Sequence, residues 1–191
     1  MEKITPLNLK NSVVPVKKVI INEEYFNMYS EFDMAILVLE KNVIEFCENV
    51  HQIKLITNSK TEYSDCFYVG WGSPYESVNE KTLNINAIND VVLKGDLKMK
   101  LAKDQSMLTS KIDGKIKAPC TGDSGGPVLC KNAKGLLDMV GVISETSSSA
   151  MPNASNKEFC DKTDMVFASS VQFNYKWLQK IVQSNEGSLR C

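Results

Sequence analysis

The sequence predicts an all-β protein closed by a C-terminal α-helix. Two observations carry this expectation. Most apolar runs are short, rich in β-branched residues and bounded by Gly, Asn or Ser clusters, which is the pattern of strands joined by turns. Only near the end do apolar residues recur at helical intervals: Phe173, Trp177 and Ile181, with Leu178 and Val182.

In order along the chain, residues 1–11 show no periodicity and read as a frayed tail. Val13 to Ile21 is β-branched and reads as a strand with Pro15 at an edge or bulge, because proline cannot donate to a ladder. Asn22 to Phe32 is a polar loop, and Asp33 opens a second strand in which Met34 to Leu39 is continuously apolar, as expected of burial on both sides. Residues 41–59 form a connection that contains His51, the only histidine. Beyond it, Cys66 to Val69, Thr82 to Val92, Gly126 to Cys130, Leu137 to Ser144 and Met165 to Ser169 have strand character. Lys98 to Ser110 reads as a short helix or an irregular loop. Between Ser144 and Cys160 a long surface loop is expected, with the run Ser147-Ser148-Ser149 and the glycosylation sequon Asn153-Ala154-Ser155, which matters only in an exported chain. Ser169-Ser170-Val171-Gln172 has capping-box spacing for the last helix, expected to end near Gly187.

Composition narrows the function classes. A chain of 191 residues with an ordinary apolar fraction suits one large domain or two small barrels. The formal net charge of -1 gives no sign of a nucleic-acid or membrane-surface partner. The longest apolar run, Met34 to Leu39, is too short to span a bilayer, and no secretory-type apolar segment stands in the first thirty residues. Six cysteines without a CxxC pair, beside a single histidine, fit neither a zinc site nor a redox motif, so no metal or other cofactor is expected and disulfides are the better reading. Disulfide usage points to an extracellular chain.

The most specific stretch is Cys120-Thr121-Gly122-Asp123-Ser124-Gly125-Gly126-Pro127. It reads as a nucleophile loop. Gly122 removes a Cβ where a backbone N–H must face a developing oxyanion, and Ser124 supplies a second N–H and the attacking hydroxyl. Gly125 and Gly126 keep the space beside that hydroxyl open. Asp123 needs a cation or several N–H donors to stay ionised beside a tightly turned backbone. The alternative is a Gly-rich hairpin that merely contains Asp and Ser.

This stretch resembles the active-site loop of the chymotrypsin/trypsin-like serine peptidases. Glu31-Phe32-Asp33-Met34-Ala35-Ile36-Leu37-Val38-Leu39 is similar to the family's strand bearing the triad aspartate, Gly70-Trp71-Gly72 to its Gly-Trp-Gly turn, Val140-Gly141-Val142-Ile143-Ser144 to the strand beside the substrate, and Trp177-Leu178 to its terminal helix. The resemblance implies a trypsin-like double six-stranded β-barrel with a C-terminal α-helix, the first barrel incomplete. Residues 1–57 would be the remnant of the first barrel and the inter-barrel linker, and residues 58–191 the second barrel. It also implies hydrolysis of peptide bonds, with Asp33 and Ser124 as catalytic residues, Gly122 and Ser124 as the oxyanion hole and Asp123 as its structural support. Ala118, Ser144, Glu145, Thr146 and Met165 would contact substrate. Ala118 offers no carboxylate for a basic side chain, and Met165 falls where a pocket-wall glycine is common. The disulfides implied are Cys66 with Cys130 and Cys120 with Cys160, leaving Cys47 and Cys191 unassigned.

One departure bears on activity. The family places its histidine base before the aspartate, whereas His51 follows Asp33 on a segment that crosses the back of the molecule. A lone histidine on a mixed segment is usually a surface or hydrogen-bonded structural residue. The chain therefore offers two of three triad members and is expected to be inactive as it stands. The two function classes that follow are a serine endopeptidase acting on polypeptides, of which this is an N-terminally truncated form, and a non-catalytic homologue that binds protein partners through the old cleft.

Overall fold

The computed structural model describes residues 14–27, 30–43, 52–56, 62–72, 92–113 and 118–185. Nine strands and two α-helices are defined among them. β1 (Val16–Ile21) and β2 (Ala35–Leu39) form a two-stranded antiparallel sheet. β3 (Lys54–Leu55), β4 (Glu62–Gly70), β5 (Leu93–Leu101), β6 (Met107–Lys111), β7 (Pro127–Lys131), β8 (Leu137–Ser148) and β9 (Thr163–Ser170) form the other sheet, in the order β3-β8-β7-β4-β5-β6-β9. Because β9 returns to pair with β8, the six strands β4 to β9 close into a barrel with no free edge between them. α1 (Asn156–Asp161) lies between β8 and β9, and α2 (Tyr175–Asn185) follows β9.

Alternation builds the barrel wall. In β5, Gly95, Leu97 and Met99 are buried while Lys94, Asp96, Lys98 and Lys100 face water, so one face fills the barrel and the other solvates it. The interior is filled by Tyr63, Cys66, Tyr68, Leu97, Met99, Leu108, Val128, Cys130, Val140, Ile143, Val166 and Ala168. A second apolar cluster lies outside it: Met34, Val171 and Leu178, joined by Ile36, Leu55, Met139, Val142 and Trp177, glue β2 and α2 to the outer face of β8.

Four expectations change. Lys98 to Ser110 is neither a helix nor a loop, but the end of β5, a tight turn with Gln105 at φ 65°, and β6. The reason is local: Gln105 N–H donates to Ala102 O at 2.9 Å and Ala102 N–H to Met107 O at 2.8 Å, which reverses the chain and lets the alternating residues pair. The long loop after Ser144 is shorter than expected, because β8 runs on to Ser148 against β9 and α1 takes up part of the remainder. Met34 to Leu39 is not buried on both sides, since Leu37 is 58% exposed. Ser170, not Ser169, caps the turn before α2, accepting from Phe173 N–H at 3.2 Å, and α2 begins only at Tyr175. Thr82 to Val92, apart from its last residue, lies outside the described residues, as do His51, Cys47, Cys191 and Gly187.

The segment ahead of β2 is tied down residue by residue. Ser30 O accepts from Ser169 Oγ at 3.0 Å, Glu31 O accepts from Asn174 Nδ2 at 2.9 Å, and Phe32 packs on Phe173 with ring centroids 5.3 Å apart. Asn174 is buried and also exchanges a side-chain hydrogen bond of 3.0 Å with the buried Asn22. Removing it leaves the buried Asn22 amide without this acceptor and takes from the buried Ser170 a donor, since Asn174 Nδ2 also donates to Ser170 O at 3.0 Å. Asn174→Ala is therefore expected to lower unfolding free energy by about 2–3 kcal/mol. The check is the urea midpoint under non-reducing conditions, at unchanged m value; a loss below about 0.5 kcal/mol, the scale of an ordinary surface substitution, would mean that the network does not hold the segment.

Candidate active site

The nucleophile loop is shaped by its own hydrogen bonds. Asp123 N–H donates to Cys120 O at 2.8 Å and Gly126 N–H to Asp123 O at 2.9 Å, making two successive turns that push Ser124 outward. Gly122 (φ 97°) and Gly125 (φ 81°) take the left-handed conformations that these turns need. The far side of the loop is fastened to β8, with Gly125 N–H donating to Ile143 O at 2.8 Å and Ile143 N–H to Gly126 O at 2.9 Å. Gly122 and Ser124 are exposed at the surface this creates.

Asp123 is only 5% exposed and has no cation beside it among the described contacts; its two oxygens are met by backbone donors instead. Gly72 N–H donates to Oδ1 and Cys120 N–H to Oδ2, each at 2.9 Å. The Gly70-Trp71-Gly72 turn thus serves as half of a carboxylate clamp, with the Trp71 ring outside it and 58% exposed.

A β-bulge joins Ser124 to Asp33. The β8–β9 register slips between Ile143 and Glu145, leaving Ser144 as the extra residue. Bulges re-aim groups in this way. The Ser144 carbonyl accepts from Ser124 Oγ at 3.4 Å, and Ser144 Oγ donates to Asp33 Oδ2 at 2.8 Å. Ser124, Ser144 and Asp33, which are 111 residues apart at their extremes in the linked pair, thereby share one surface. Asp33 is half-buried and stands at the entrance to β2, directly after the anchored Ser30 to Phe32 segment.

Beside Ser124 lies a cleft of about 230 Å³. Its walls include Gly122, Ile143, Glu145 and Thr146, with Pro119 and Phe159. Glu145 and Thr146 thus stand at the cleft. Ala118 is buried in the barrel core and Met165 lies on β9 opposite Lys111 and Ser147, and neither lines this cleft. Phe159 has no counterpart in the sequence reading. It is held by α1, whose first turn Ser155 caps, and its carbonyl accepts from Ser148 Oγ at 2.8 Å and Thr163 Oγ1 at 3.2 Å. The only signal for it in the sequence is a large apolar residue directly before Cys160.

Both disulfides implied by the resemblance are formed. Cys66–Cys130 spans β4 and β7 inside the barrel, and Cys120–Cys160 ties the nucleophile loop to α1. Among the described residues no group of three or more His, Cys, Asp or Glu side chains could hold a metal ion.

A profile of the Trypsin family matches residues 3–164. The chain belongs to the Trypsin family. It is 33% identical to Snake venom serine protease BITS01A of Bothrops insularis over 110 residues, 54% of this chain and 42% of that protein. It is 31% identical to Trypsin theta of Drosophila melanogaster over 137 residues, 69% of this chain and 50% of that one. With Submandibular glandular kallikrein-9 of Rattus norvegicus it shares 28% identity over 157 residues, 80% of this chain and 54% of the relative. The chain spans about half the length of the curated relatives it matches. For a trypsin-family protein the mostly-β architecture, closed six-stranded barrel and short terminal helix are as expected.

Proposed function

We propose that this chain carries the nucleophile half of an extracellular serine endopeptidase acting on polypeptides. The observation that carries the reading is the link from Ser124 through Ser144 to Asp33. In this reading Ser124 Oγ attacks the scissile carbonyl and the N–H groups of Gly122 and Ser124 receive the oxyanion. Asp33 would orient an imidazole and stabilise it once charged, and the clamp on Asp123 keeps the loop in register. The two disulfides and the serine-protease names of the relatives support an extracellular setting.

The test is activity-based labelling with a fluorophosphonate followed by peptide mapping. In a form of the protein that supplies a histidine base, the label is expected on the Ser124 peptide alone and absent from Ser124→Ala. A label of equal yield on any other serine would overturn the assignment. The cleft further favours small side chains: Ile143, Pro119 and Phe159 narrow it, and Glu145 is the one charged residue in its lining. In that same base-supplied form, Phe159→Ala is expected to raise the labelling rate by a peptide phosphonate with a bulky aromatic side chain about tenfold, the scale of opening such a pocket. An unchanged rate would place the ring outside the substrate path.

A second reading has its own support. The one histidine, His51, follows Asp33 in the chain instead of preceding it. That order favours a homologue that keeps the cleft for binding a protein partner without cleaving it, and the residues 1–191 are proposed to be inactive for the same reason.

A further inference from the structure

The turn between β8 and α1 carries a motif that neither the cleft nor the barrel uses. Asn153-Ala154-Ser155 is the one Asn-x-Ser/Thr triplet in the 191 residues, and its middle residue is not proline. Glycan transfer to such a triplet needs a segment at the surface. The fold meets that condition. Ala154 N–H donates to Met151 O at 2.9 Å, which closes a turn with Pro152 and Asn153 at its tip, and Pro152, Asn153 and Ser155 are all exposed. Met151 beside them is 72% exposed, so the described chain leaves the turn uncovered.

The side chains are available as well as the backbone. Asn153 makes no hydrogen bond among the described residues, in contrast to Asn22 and Asn174, which are buried and bonded to each other. Ser155 Oγ accepts from Glu158 N–H at 3.2 Å and so caps α1, which uses a lone pair and leaves the hydroxyl proton free to donate. A branch on Asn153 Nδ2 therefore breaks no internal bond and displaces no core side chain.

Where the branch stands follows from the chain. Two extended steps from Asn153 to Ser155 and four helical rises from Ser155 to Phe159 keep the Cα atoms of Asn153 and Phe159 within about 13 Å of each other. Phe159 lines the cleft beside Ser124, and Cys160 next to it is bonded to Cys120 in the nucleophile loop. The turn is thus tethered to the rim of the cleft.

We propose that Asn153 is an N-glycosylation site, which places its glycan at the Phe159 rim of the cleft. In the transfer, Asn153 Nδ2 bonds to the anomeric carbon of an oligosaccharide carried on a lipid diphosphate. The anomeric C–O bond breaks, the diphosphate leaves with the electron pair, and the amide nitrogen gives up one proton. The proposal rests on the extracellular setting and not on catalysis by Ser124.

The test is translation of the full chain behind a cleavable secretory leader in the presence of endoplasmic-reticulum microsomes, scored on the chains protected from added protease. A single glycan, removed by peptide N-glycosidase, is expected on the parent chain and on Ser155→Thr, which keeps both the hydroxyl and the helix cap. Asn153→Gln should lose it completely. Peptide mapping after the glycosidase should find an aspartate at residue 153, the trace of the cleaved amide. Protected chains that carry the Cys120–Cys160 disulfide but no glycan would overturn the proposal and leave the extracellular reading standing, as would a glycan that survives Asn153→Gln. Native protein with free thiols at Cys120 and Cys160 and no glycan would instead overturn the extracellular reading, and the proposal with it.

Discussion

Fluorophosphonate is expected to label Ser124 of the 191-residue chain on the order of a millionfold more slowly than it labels an active serine peptidase. The geometry around Ser124 explains the size. Its hydroxyl donates to the Ser144 carbonyl, an acceptor that cannot take up the proton, and Ser144 Oγ, not an imidazole, is the group seen on Asp33 Oδ2 among the described residues. A serine hydroxyl is hardly ionised at neutral pH, so attack depends on a base that removes the proton as the new bond forms. The residual reaction would come from the two N–H groups at Gly122 and Ser124, which stabilise developing charge whether or not a base is present. Labelling rates measured from pH 5 to 9 should therefore show no rise centred on an imidazole-like pKa. A rate within a hundredfold of an ordinary enzyme, with such a rise, would show that His51 reaches the serine after all and would overturn the inactive reading.

Gly72→Ala is expected to dismantle the nucleophile loop while leaving the barrel closed. A Cβ on Gly72 would fall on the Asp123 carboxylate, and one on Gly70 would meet the same group from the other side. Neither obstruction is the loose end of a flexible chain, because both carboxylate oxygens are held by backbone N–H donors. The carboxylate must leave a site where it is 5% exposed and lose those bonds, which costs about 3 kcal/mol or more. Gly122 to Gly126 then lose their anchor. Limited proteolysis should cut between Cys120 and Ser124 in Gly72→Ala but not in the parent chain, while far-ultraviolet circular dichroism stays unchanged. An intact loop in the variant would show that Asp123 does not organise it.

How far the sequence alone reaches differs between parts of this protein, and the differences have physical causes. The nucleophile loop was legible because its chemistry is local: two left-handed glycines, a carboxylate and a serine within eight residues constrain one another through the turns they form. β4, β7, β8, β9 and the amphipathic α2 were legible by periodicity, with ends that differ by up to about four residues, since burial on one face imposes a repeat of two or of 3.6. β5 alternates from Leu93 to Leu101 with Lys94, Asp96, Lys98 and Lys100 at its exposed positions, yet Lys98 to Ser110 reads in the sequence as a short helix or irregular loop, because the turn and the strand partners that pair it as β5 and β6 are set only in the fold.

What only the tertiary structure decided are the relations between distant segments. No local pattern announces that β8 bulges at Ser144, because a bulge is a mismatch of register with β9 and exists only in the pairing. The bulge is what turns one hydroxyl toward Asp33 and one carbonyl toward Ser124. Phe159 enters the cleft because α1 is capped by Ser155 and tied through Cys160 to Cys120, and Ala118 stays out of it because the barrel core takes it in. The exposure of Leu37 likewise could not be read from six apolar residues in a row. An apolar run states that burial would be favourable, and only the packed neighbours determine on which side burial occurs.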